Sequence, residues 1–371
     1  MTPTLTDIRD QAASWRTTLR AAAALGDLDV TGDRPWLFVG SGASYYAAQA
    51  AAGLLRALGH PRAAAAPASE AWMSPDLHIP ERSIVVGLSR TGTTTETVQA
   101  LTEGRRRGAT TLGITLTPNT PLAVDADHCV LLDHVGETGR IMTRSFANLK
   151  LAAQTVAVTA AAAHPTAGVD VAGYRAGLAA LARQFDDHRI GLDATAQTLA
   201  RIPWTSLVVL GSGPGVAIAR QGALQLQETS QLSAEAYAVL EYRHGPIARL
   251  ADTTLVVVLT SERSVAADLL IAGDVALLGG TLLVCGEPAA LARFDDRVTT
   301  AVTSDGLPLW LQADAALPLL QLLAYHRTDA LGDTSESVHN LDRSIDPHIN
   351  PHAIAPDLFT APRPTPAPSG R

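Results

Sequence analysis

The chain contains a carboxylate and an imidazole whose spacing suits acid–base catalysis. Glu228 lies in the segment Gly-Ala-Leu-Gln-Leu-Gln-Glu, which predicts a helix with one apolar face, and His244 follows in the turn Tyr-Arg-His-Gly-Pro. Such a pair can move protons at neutral pH, because burial raises the pKa of a carboxyl group and neighbouring charges tune that of an imidazole. The structural alternatives are a solvated helix carboxylate and a turn histidine that caps nearby carbonyls. Glu235 and Glu241 are weaker candidates, since neither has a histidine at a matching spacing.

A run of hydroxyl side chains predicts where an anion is held. The sequence Ser-Arg-Thr-Gly-Thr-Thr-Thr-Glu, residues 89–96, directly follows the apolar strand Ile-Val-Val-Gly-Leu. Unpaired N–H groups and the dipole at the start of the next helix favour an anion there. A capping box with Glu96 is the structural alternative, although it needs only one of the hydroxyl residues. Because no Gly-Lys-Ser/Thr follows, the loop suits a small phosphate monoester better than a nucleoside triphosphate.

A second candidate phosphate loop is Ser41-Gly42-Ala43-Ser44, which joins the first apolar strand to an alanine-rich helix. Its glycine allows close approach of the backbone to a ligand, and its serines add donors. A tight turn with N-capping serines is the structural alternative. The same turn opens dinucleotide-binding folds, so a nicotinamide-dependent dehydrogenase is a further alternative, although Tyr45 stands at the third glycine position of that fingerprint.

Short apolar strands alternate with helical patterns along most of the chain. Strands are predicted at 36–39, 62–66, 83–88, 110–115, 127–132, 206–210, 254–259 and 281–285. Helices are predicted at 5–25, 45–58, 170–187, 192–200, 216–231 and 314–327, with another after the loop 136–146. This alternation favours parallel, three-layer sheets. Gly-Ser-Gly closes a strand and opens a helix at both 40–42 and 211–213, which predicts a tandem duplication.

Length and composition limit the class of protein. A chain of 371 residues suits two domains of about 150 residues each. With 47% hydrophobic but only 4% aromatic residues, helices packed on parallel strands are favoured over an aromatic-rich β-sandwich. The net charge of −8 gives no sign of a nucleic-acid-binding surface.

The rarer residue types limit the compartment and the chemistry. Cys129 and Cys285 each lie in a short apolar run, which predicts buried free thiols and a reducing cytoplasm. Neither a transmembrane span nor an export signal is indicated. Lys150 is the only lysine, so an amine for a Schiff base is nearly excluded. The polar tail carries three histidines that are poor metal candidates: His339, His348 and His352.

Four motifs together resemble the tandem sugar isomerase (SIS) domain proteins. They are the Gly-Ser-Gly-Ala-Ser turn, the Leu-Ser-Arg-Thr-Gly-Thr-Thr loop, the Met-Thr-Arg-Ser-Phe segment, and the stretch from Glu228 to Arg-His-Gly-Pro, in this order between about residues 34 and 330. The closest likeness is to the isomerase half of glucosamine-6-phosphate synthase and to the galactosamine-6-phosphate deaminase/isomerase group. The resemblance implies an α/β fold of two tandem SIS domains, each a three-layer α/β/α sandwich with a five-stranded parallel sheet.

The resemblance also implies roles for individual residues. The substrate phosphate would be held by Ser41, Ser44, Ser89, Thr91 and Thr94, with Gly42, Arg90, Gly92 and Arg243 as further candidates for substrate contact. Glu228 would carry a proton between C1 and C2 of the open-chain sugar. His244 would assist ring opening from the partner subunit, which implies a homodimer.

The chain also departs from the synthase pattern. Gln225 stands where that family has a lysine three residues before the catalytic glutamate, and no lysine follows Lys150. A glutaminase domain with an N-terminal cysteine is missing as well. The Arg-His-Gly-Pro and Met-Thr-Arg-Ser-Phe sequences fit the deaminase/isomerase side better. We therefore expect a cytoplasmic phosphosugar isomerase or deaminase for an (amino)hexose 6-phosphate-type substrate, with no cofactor, metal, nucleic-acid or membrane partner.

The main alternative is a non-catalytic regulatory protein that binds a sugar phosphate in the same loops. The expected organisation is an N-terminal helix (1–33), SIS domain 1 (34–165), linking helices (166–200), SIS domain 2 (201–331) and a C-terminal tail (332–371). The Pro-rich end of the tail is predicted to be disordered. The stretch 332–352, which includes Arg343, is predicted to drape over a site.

Overall fold

Two parallel sheets form the centre of the protein, one in each half of the chain. The computed structural model describes residues 2–24, 28–30, 33–336 and 338. The first sheet contains β1 (Trp36–Gly40), β2 (Ala63–Pro67), β3 (Ile84–Ser89), β4 (Thr110–Thr115) and β5 (His128–Leu131), in the order β2-β1-β3-β4-β5. The second contains β6 (Ser206–Gly211), β7 (Ser233–Ala238), β8 (Thr254–Leu259), β9 (Thr281–Gly286) and β10 (Thr299–Val302), in the order β10-β9-β8-β6-β7.

The second sheet repeats the topology of the first. In each half the first strand pairs in parallel with the second on one side and with the third on the other. The central strands β3 and β8 are buried at every residue, as expected for parallel strands covered on both faces. The predicted pair of five-stranded parallel sheets is therefore confirmed. The domain boundaries remain a prediction.

The helices of the described chain cover both sheets and join them. They are α1 (Pro3–Arg9), α2 (Ala12–Ala23), α3 (Ala43–Ala57), α4 (Ala68–Met73), α5 (Pro75–His78), α6 (Thr95–Arg106), α7 (Pro121–Val124), α8 (Arg144–Ala163), α9 (Val171–Ala200), α10 (Gly215–Ser230), α11 (Val265–Leu278), α12 (Pro288–Leu291) and α13 (Leu317–Ala330). One hydrophobic core runs from α2, α3 and α8 of the first half into α10 and α13 of the second. The two halves thus share buried apolar surface.

A buried ion pair also joins the halves. The Nζ atom of Lys150, on α8, lies 2.5 Å from Oδ1 of Asp314 in the 3₁₀ turn before α13. The amide of Gln154 donates to the other oxygen of that carboxylate at 3.0 Å. Both charged side chains are almost fully enclosed. The single lysine therefore has a structural position between the halves.

The sequence pattern missed two strands, and both lie at sheet edges. β7 and β10 carry the sequences Ser-Ala-Glu-Ala-Tyr-Ala and Thr-Thr-Ala-Val, in which most residues are partly or fully exposed. An edge strand needs few apolar residues, so no apolar run indicates it. The prediction that both cysteines are buried is wrong for Cys129, which is exposed because it lies on the edge strand β5. Cys285 is buried, as predicted.

Two helix predictions were also wrong. The helix predicted at 5–25 is divided into α1 and α2 by Asp10 and Gln11. The helices predicted at 170–187 and 192–200 form one continuous helix, α9. Phe185 and Leu192 are buried on either side of the expected break, so tertiary packing holds Gly191 in the helix despite its low propensity.

Candidate functional site

The two candidate phosphate loops meet at one edge of the first sheet. Ser41–Ser44 follow β1, and Ser89–Thr94 follow β3. These strands are neighbours, and the chain moves outward in opposite directions from them, to β2 on one side and to β4 on the other. In open parallel sheets, ligands bind outside the carboxyl ends of the strands at such a switch point. The topology therefore brings the two predicted loops to one crevice.

The hydroxyl loop after β3 forms a small preassembled cluster. Oγ of Ser89 and Oγ1 of Thr94 lie 2.8 Å apart, and the Ser89 oxygen accepts the N–H of Gly92 at 3.0 Å. Oγ1 of Thr91 accepts from the hydroxyl of Thr93 at 3.0 Å. Gly92 has a φ of +68°, and a Cβ there would lie 2.1 Å from the Thr120 hydroxyl. Both the conformation and the lack of space require glycine at this turn.

The helices that follow the loops begin without side-chain caps. Thr94 is the N-cap of α6, but its hydroxyl bonds to Ser89 instead of to the helix, and Gly42 is the N-cap of α3, again with no side-chain cap. Both structural alternatives for the two loops are therefore wrong: residues 89–96 do not form a capping box with Glu96, and the serines of residues 41–44 do not cap α3. The first N–H groups of α6 have no side-chain acceptor, whereas at the start of α3 those of Ser44 and Tyr45 donate to the carbonyls of Ser41 and Gly42. Helix ends of this kind suit an anion.

The serines of the first loop occupy different depths. Ser44, in the first turn of α3, is 5% exposed, whereas Ser41 is half-buried. The N–H of Ser44 donates to the Ser41 carbonyl at 3.1 Å, which closes the turn. Gly42 is exposed and has a φ of +53°, a left-handed conformation that favours glycine. The turn thus holds both serines beside the start of α3.

Glu137, which no sequence motif indicates, organises the third side of the crevice. Its carboxylate is 3% exposed and accepts the N–H groups of Thr143 and Ser145 at 2.8 and 3.0 Å. The same side chain forms an ion pair with Arg90 at 3.2 Å, and Arg90 also donates to the Arg140 carbonyl at 3.0 Å. Glu137 therefore connects the hydroxyl loop to the Met-Thr-Arg-Ser-Phe segment. The only signal for it was its place in a glycine-containing loop before that segment.

The N-terminal helix holds this third side in place. Asp7, on α1, accepts the N–H groups of Thr138 and Gly139 at 3.0 and 2.8 Å and lies 3.3 Å from the guanidinium of Arg144. Asp7 is 2% exposed, so the contact is shielded from water. The segment at 2–24 is thus part of the site's support.

Glu228 reaches the crevice from the second half of the chain. It lies near the end of α10 and is half-buried, and burial raises its pKa to about 7, against the opposing charge of Arg90. Charge interactions also connect it to Tyr46, whose own pKa is raised mainly by burial. A carboxyl group with a pKa near neutrality can both take up and return a proton. The alternative of a solvated helix carboxylate is therefore wrong, and the charge interaction with Arg90 connects Glu228 to the hydroxyl loop.

Tyr46 and Arg220 were not identified from the sequence. They line a cavity of about 330 Å³ between α3, α10 and β7, together with Tyr45, Gln227 and Glu235. The carboxylate of Glu235 is already paired with the Arg249 guanidinium at 2.6 Å. Glu235 is thus engaged in a surface ion pair.

His244 and Arg243 lie outside this crevice within one chain. His244 follows a short 3₁₀ helix, Glu241–Arg243, and its side chain is exposed, with no hydrogen bond or ion pair to any residue that the structure describes. Its N–H donates to the Glu241 carbonyl at 3.0 Å. Arg243 forms an ion pair with Asp274 on α11 at 2.7 Å. The turn therefore presents His244 outward, and its predicted role across a dimer interface stays a prediction.

The equivalent crevice of the second half differs in chemistry. Trp310 packs over Gly213, where a Cβ would lie 2.7 Å from the ring, and Arg263 lies 5.4 Å from the ring centroid. The loop after β8 is tied to Asp268, a fully buried carboxylate that accepts from Thr260 and Ser264 at 2.6 and 2.7 Å. A carboxylate beneath the loop opposes the binding of an anion. The first half therefore carries the better candidate for a phosphate site.

Two findings limit other site types. Among the described residues, no group of three or more His, Cys, Asp or Glu side chains is placed to hold a metal ion. His339, His348, His352 and Arg343 lie outside the described residues. Within the described ranges, no helix is both long and apolar enough to cross a membrane.

Comparison with known proteins agrees with this arrangement. Residues 34–165 match the family model of the SIS domain. The chain is 31% identical over 273 residues to glutamine–fructose-6-phosphate aminotransferase (isomerizing) of Gloeobacter violaceus, covering 71% of this chain and 44% of that protein. It spans about half the length of the curated relatives it matches.

Solved structures share the fold over nearly the whole chain. The C-terminal domain of glucosamine-fructose-6-phosphate aminotransferase from Francisella tularensis has a TM-score of 0.81 at 22% identity, covering 90% of this chain and 98% of that chain. Glucosamine-6-phosphate deaminase from Thermotoga maritima has a TM-score of 0.75 at 23% identity, covering 92% and 99%. At these identities the comparison establishes a common fold.

Proposed function

We propose that this SIS-domain protein is a phosphosugar isomerase or deaminase that moves a proton between C1 and C2 of an open-chain (amino)hexose 6-phosphate. One observation carries the proposal. Burial raises the pKa of the Glu228 carboxyl group to about 7, and its charge interacts with that of Arg90 in the hydroxyl-rich loop, which follows a strand at the switch point of a parallel sheet. The curated relatives named as isomerizing aminotransferases of fructose 6-phosphate support the substrate class. Two tandem SIS domains, the second formed by the repeated topology after residue 201, are part of this proposal.

The phosphate binds at the first-half crevice in this mechanism. The hydroxyl groups of Ser41, Ser44, Ser89, Thr91 and Thr94 act as donors, together with the N-terminus of α6, which has no side-chain cap. Anchoring the phosphate fixes one end of the sugar, so the other end is presented to α10. Holding the reactant in this way converts the proton transfer into an effectively unimolecular step.

Glu228 acts as the single proton carrier. As a carboxylate it removes the proton from C2 of the open-chain aldose, and as the acid it returns this proton at C1 of the enediolate, while the hydroxyl proton passes from O2 to O1 and the ketose forms. At a pKa of about 7 both forms are populated at neutral pH, which is the condition for efficient general acid–base catalysis. Arg90 counteracts the effect of burial and prevents a further rise of this pKa.

His244 assists ring opening from the partner subunit in the proposed homodimer. Its exposed position and its lack of partners among the described residues leave it free to enter a second site. Mixing Glu228→Gln and His244→Ala homodimers tests this directly. If each site takes Glu228 from one chain and His244 from the other, exchange of subunits restores activity at one site of each mixed dimer. Two variants that stay inactive after verified subunit exchange would refute the shared site.

Solvent isotope exchange tests the reaction itself. Wild-type protein incubated in D₂O with candidate hexose and aminohexose 6-phosphates is expected to incorporate deuterium at C1 or C2, and Glu228→Gln is expected to lose this exchange. A protein that binds sugar phosphates without any exchange is the regulatory protein of the alternative hypothesis. An ammonia assay on each substrate then separates deamination from isomerisation.

A further inference from the structure

A carboxylate on the long helix α9 attaches the N-terminal helix to the last helix of the described chain. One oxygen of Asp193 accepts from Nε and Nη2 of Arg9, the last residue of α1, at 3.1 and 2.5 Å. The other oxygen lies 2.6 Å from Nε2 of His326 on α13. All three side chains are between 12% and 23% exposed, so salt screens these charges less than at an open surface. Asp193 therefore fixes the end of α1 against α9 and α13.

The same short helix reaches the candidate phosphate site on its other side. Asp7 and Arg9 stand two residues apart on α1, so their side chains point in different directions. Asp7 is 2% exposed, and it accepts the N–H groups of Thr138 and Gly139 at 3.0 and 2.8 Å. The guanidinium of Arg144 lies 3.3 Å from the other oxygen of Asp7. A shift of α1 must therefore shift the loop before α8.

That loop carries the carboxylate that holds Arg90. Glu137 is next to Thr138 in the chain and is 3% exposed, and its carboxylate lies 3.2 Å from the Arg90 guanidinium. Arg90 belongs to the hydroxyl loop. Burial raises the pKa of Glu228, and the charge of Arg90 opposes this rise. Hydrogen bonds, ion pairs and one short helix therefore connect Asp193 to the residues proposed to bind phosphate and to carry the proton.

We propose that Asp193 and Asp7 are positioning residues, which act through α1 to hold Glu137 and Arg90 in the arrangement that binds phosphate. This role rests on the phosphate site of the proposed function. Neither carboxylate contacts the substrate in this proposal, and α1 is the element through which both act. Because the coupling between two sites is reciprocal, bound phosphate also holds α1 more firmly against α9.

A purely structural role for the same contacts makes a different prediction. α1 also buries Leu5 and Ile8 in the hydrophobic core, so the helix contributes to stability independently of the crevice. If this were its whole contribution, loss of the Asp193 contacts would lower the melting temperature and leave the phosphate affinity of the folded protein unchanged. Phosphate affinity therefore separates the two roles.

Isothermal titration of Asp193→Leu and Asp7→Ala with inorganic phosphate tests the proposal. Leucine accepts no hydrogen bond from Arg9, so we expect Asp193→Leu to bind phosphate about fivefold more weakly than the wild type. Asp7→Ala should weaken binding at least as much. The double variant should bind no more weakly than Asp7→Ala alone, because Asp193 acts through Asp7, and two losses that add would overturn the proposal. If Asp7→Ala does not fold, Asp7→Asn, which loses the charge and one acceptor oxygen, replaces it.

Hydrogen exchange provides a second measurement. Saturating phosphate should slow the exchange of the backbone amides of α1 in the wild type and should have no effect on them in the Asp7 variant. Amides of α1 that exchange at the same rate in the wild type with and without bound phosphate would contradict the coupling.

Gln184→Met is the matched control. Gln184 lies on the same helix as Asp193, and its amide donates to the Asp305 carbonyl at 2.7 Å and accepts the N–H of that residue at 3.0 Å. This variant should have a lower melting temperature and unchanged phosphate binding, and binding as weak as in Asp193→Leu overturns the role of Asp193. A wild type that binds phosphate but exchanges no proton refutes the proposed reaction and leaves this role standing, whereas one that binds neither phosphate nor any hexose 6-phosphate overturns both.

Discussion

Replacing Glu228 by glutamine should make the protein more stable at pH 8 and catalytically inactive. The carboxyl group has an ordinary pKa of 4.5, and burial raises it to about 7 in the folded protein. Between these values the folded state binds more protons than the unfolded state, so stability falls as pH rises through this window. Burial of the charged carboxylate therefore lowers the free energy of unfolding by its full amount above a pH of about 7, and it has no such effect below a pH of about 4.5. Glutamine carries no charge and avoids this cost.

The magnitude follows from the same two values. A gap from 4.5 to about 7 corresponds to roughly 3 kcal/mol of unfolding free energy, at about 1.4 kcal/mol for each pH unit. For a chain of this length the unfolding entropy converts this to a melting temperature about 4 °C higher for the variant at pH 8. Near pH 4.5 the difference should vanish, because both side chains are then neutral.

The assay compares the melting temperatures of the wild type and of Glu228→Gln in steps from pH 4.5 to 8.5. Glu235→Gln is the control, since the carboxylate of Glu235 already has an ion pair with Arg249 and its loss should give no gain at pH 8. Turnover of any sugar phosphate by the wild type should rise with pH to a plateau above about 7. A stability difference between wild type and Glu228→Gln that stays constant over this range refutes a buried carboxyl group with a raised pKa.

Three further outcomes follow from other contacts. Arg90→Gln removes the positive charge that lowers the pKa of Glu228. The acid limb of the pH–rate profile should therefore move to higher pH. An acid limb at the same pH as in the wild type contradicts the interaction. Ser89→Ala removes the oxygen that accepts the N–H of Gly92. Isothermal titration with inorganic phosphate should then show binding that is weaker by at least about tenfold. Unchanged binding would place the anion elsewhere. Lys150→Met leaves Asp314 buried without its cation, so urea unfolding should show a free energy of unfolding lower by about 3–5 kcal/mol. Adding Asp314→Leu to this variant should recover much of the lost free energy. Failure to recover it argues against the ion pair.

The fold could be predicted well from the sequence because its strongest signals are local. Apolar strands ending in glycine turns located β1, β3 and β6. The Gly-Ser-Gly sequence recurs after β6, and the second sheet repeats the strand topology of the first, while the tandem duplication itself stays a prediction. Edge strands lack an apolar run, and the continuous α9 depends on packing against distant residues. Neither property is visible in a short window of sequence.

The support of the site was harder to predict than its loops. Hydroxyl residues next to glycine marked the crevice, but Glu137 looked like a surface loop acid and proved to be enclosed by the N–H groups it accepts. Gln225 stands out in the sequence only as a departure from the lysine of the synthase pattern, and the burial of Gln221 and Gln225 on α10 was not predicted. Burial and hydrogen-bond pairing depend on the whole fold, so a sequence motif cannot report them.

The repeated topology has a consequence for how such a chain evolves. The proposed phosphate anchor lies in one half of the chain and the proposed proton carrier in the other, so the distance between them is set by packing across the boundary, including the Lys150–Asp314 pair. Natural selection on turnover therefore acts on that boundary as strongly as on the loops. In the proposed mechanism the second half, where Trp310 packs over Gly213, does not need to hold phosphate. Its loops are free to diverge while α10 remains constrained, which predicts unequal substitution rates between the two copies of one ancestral unit.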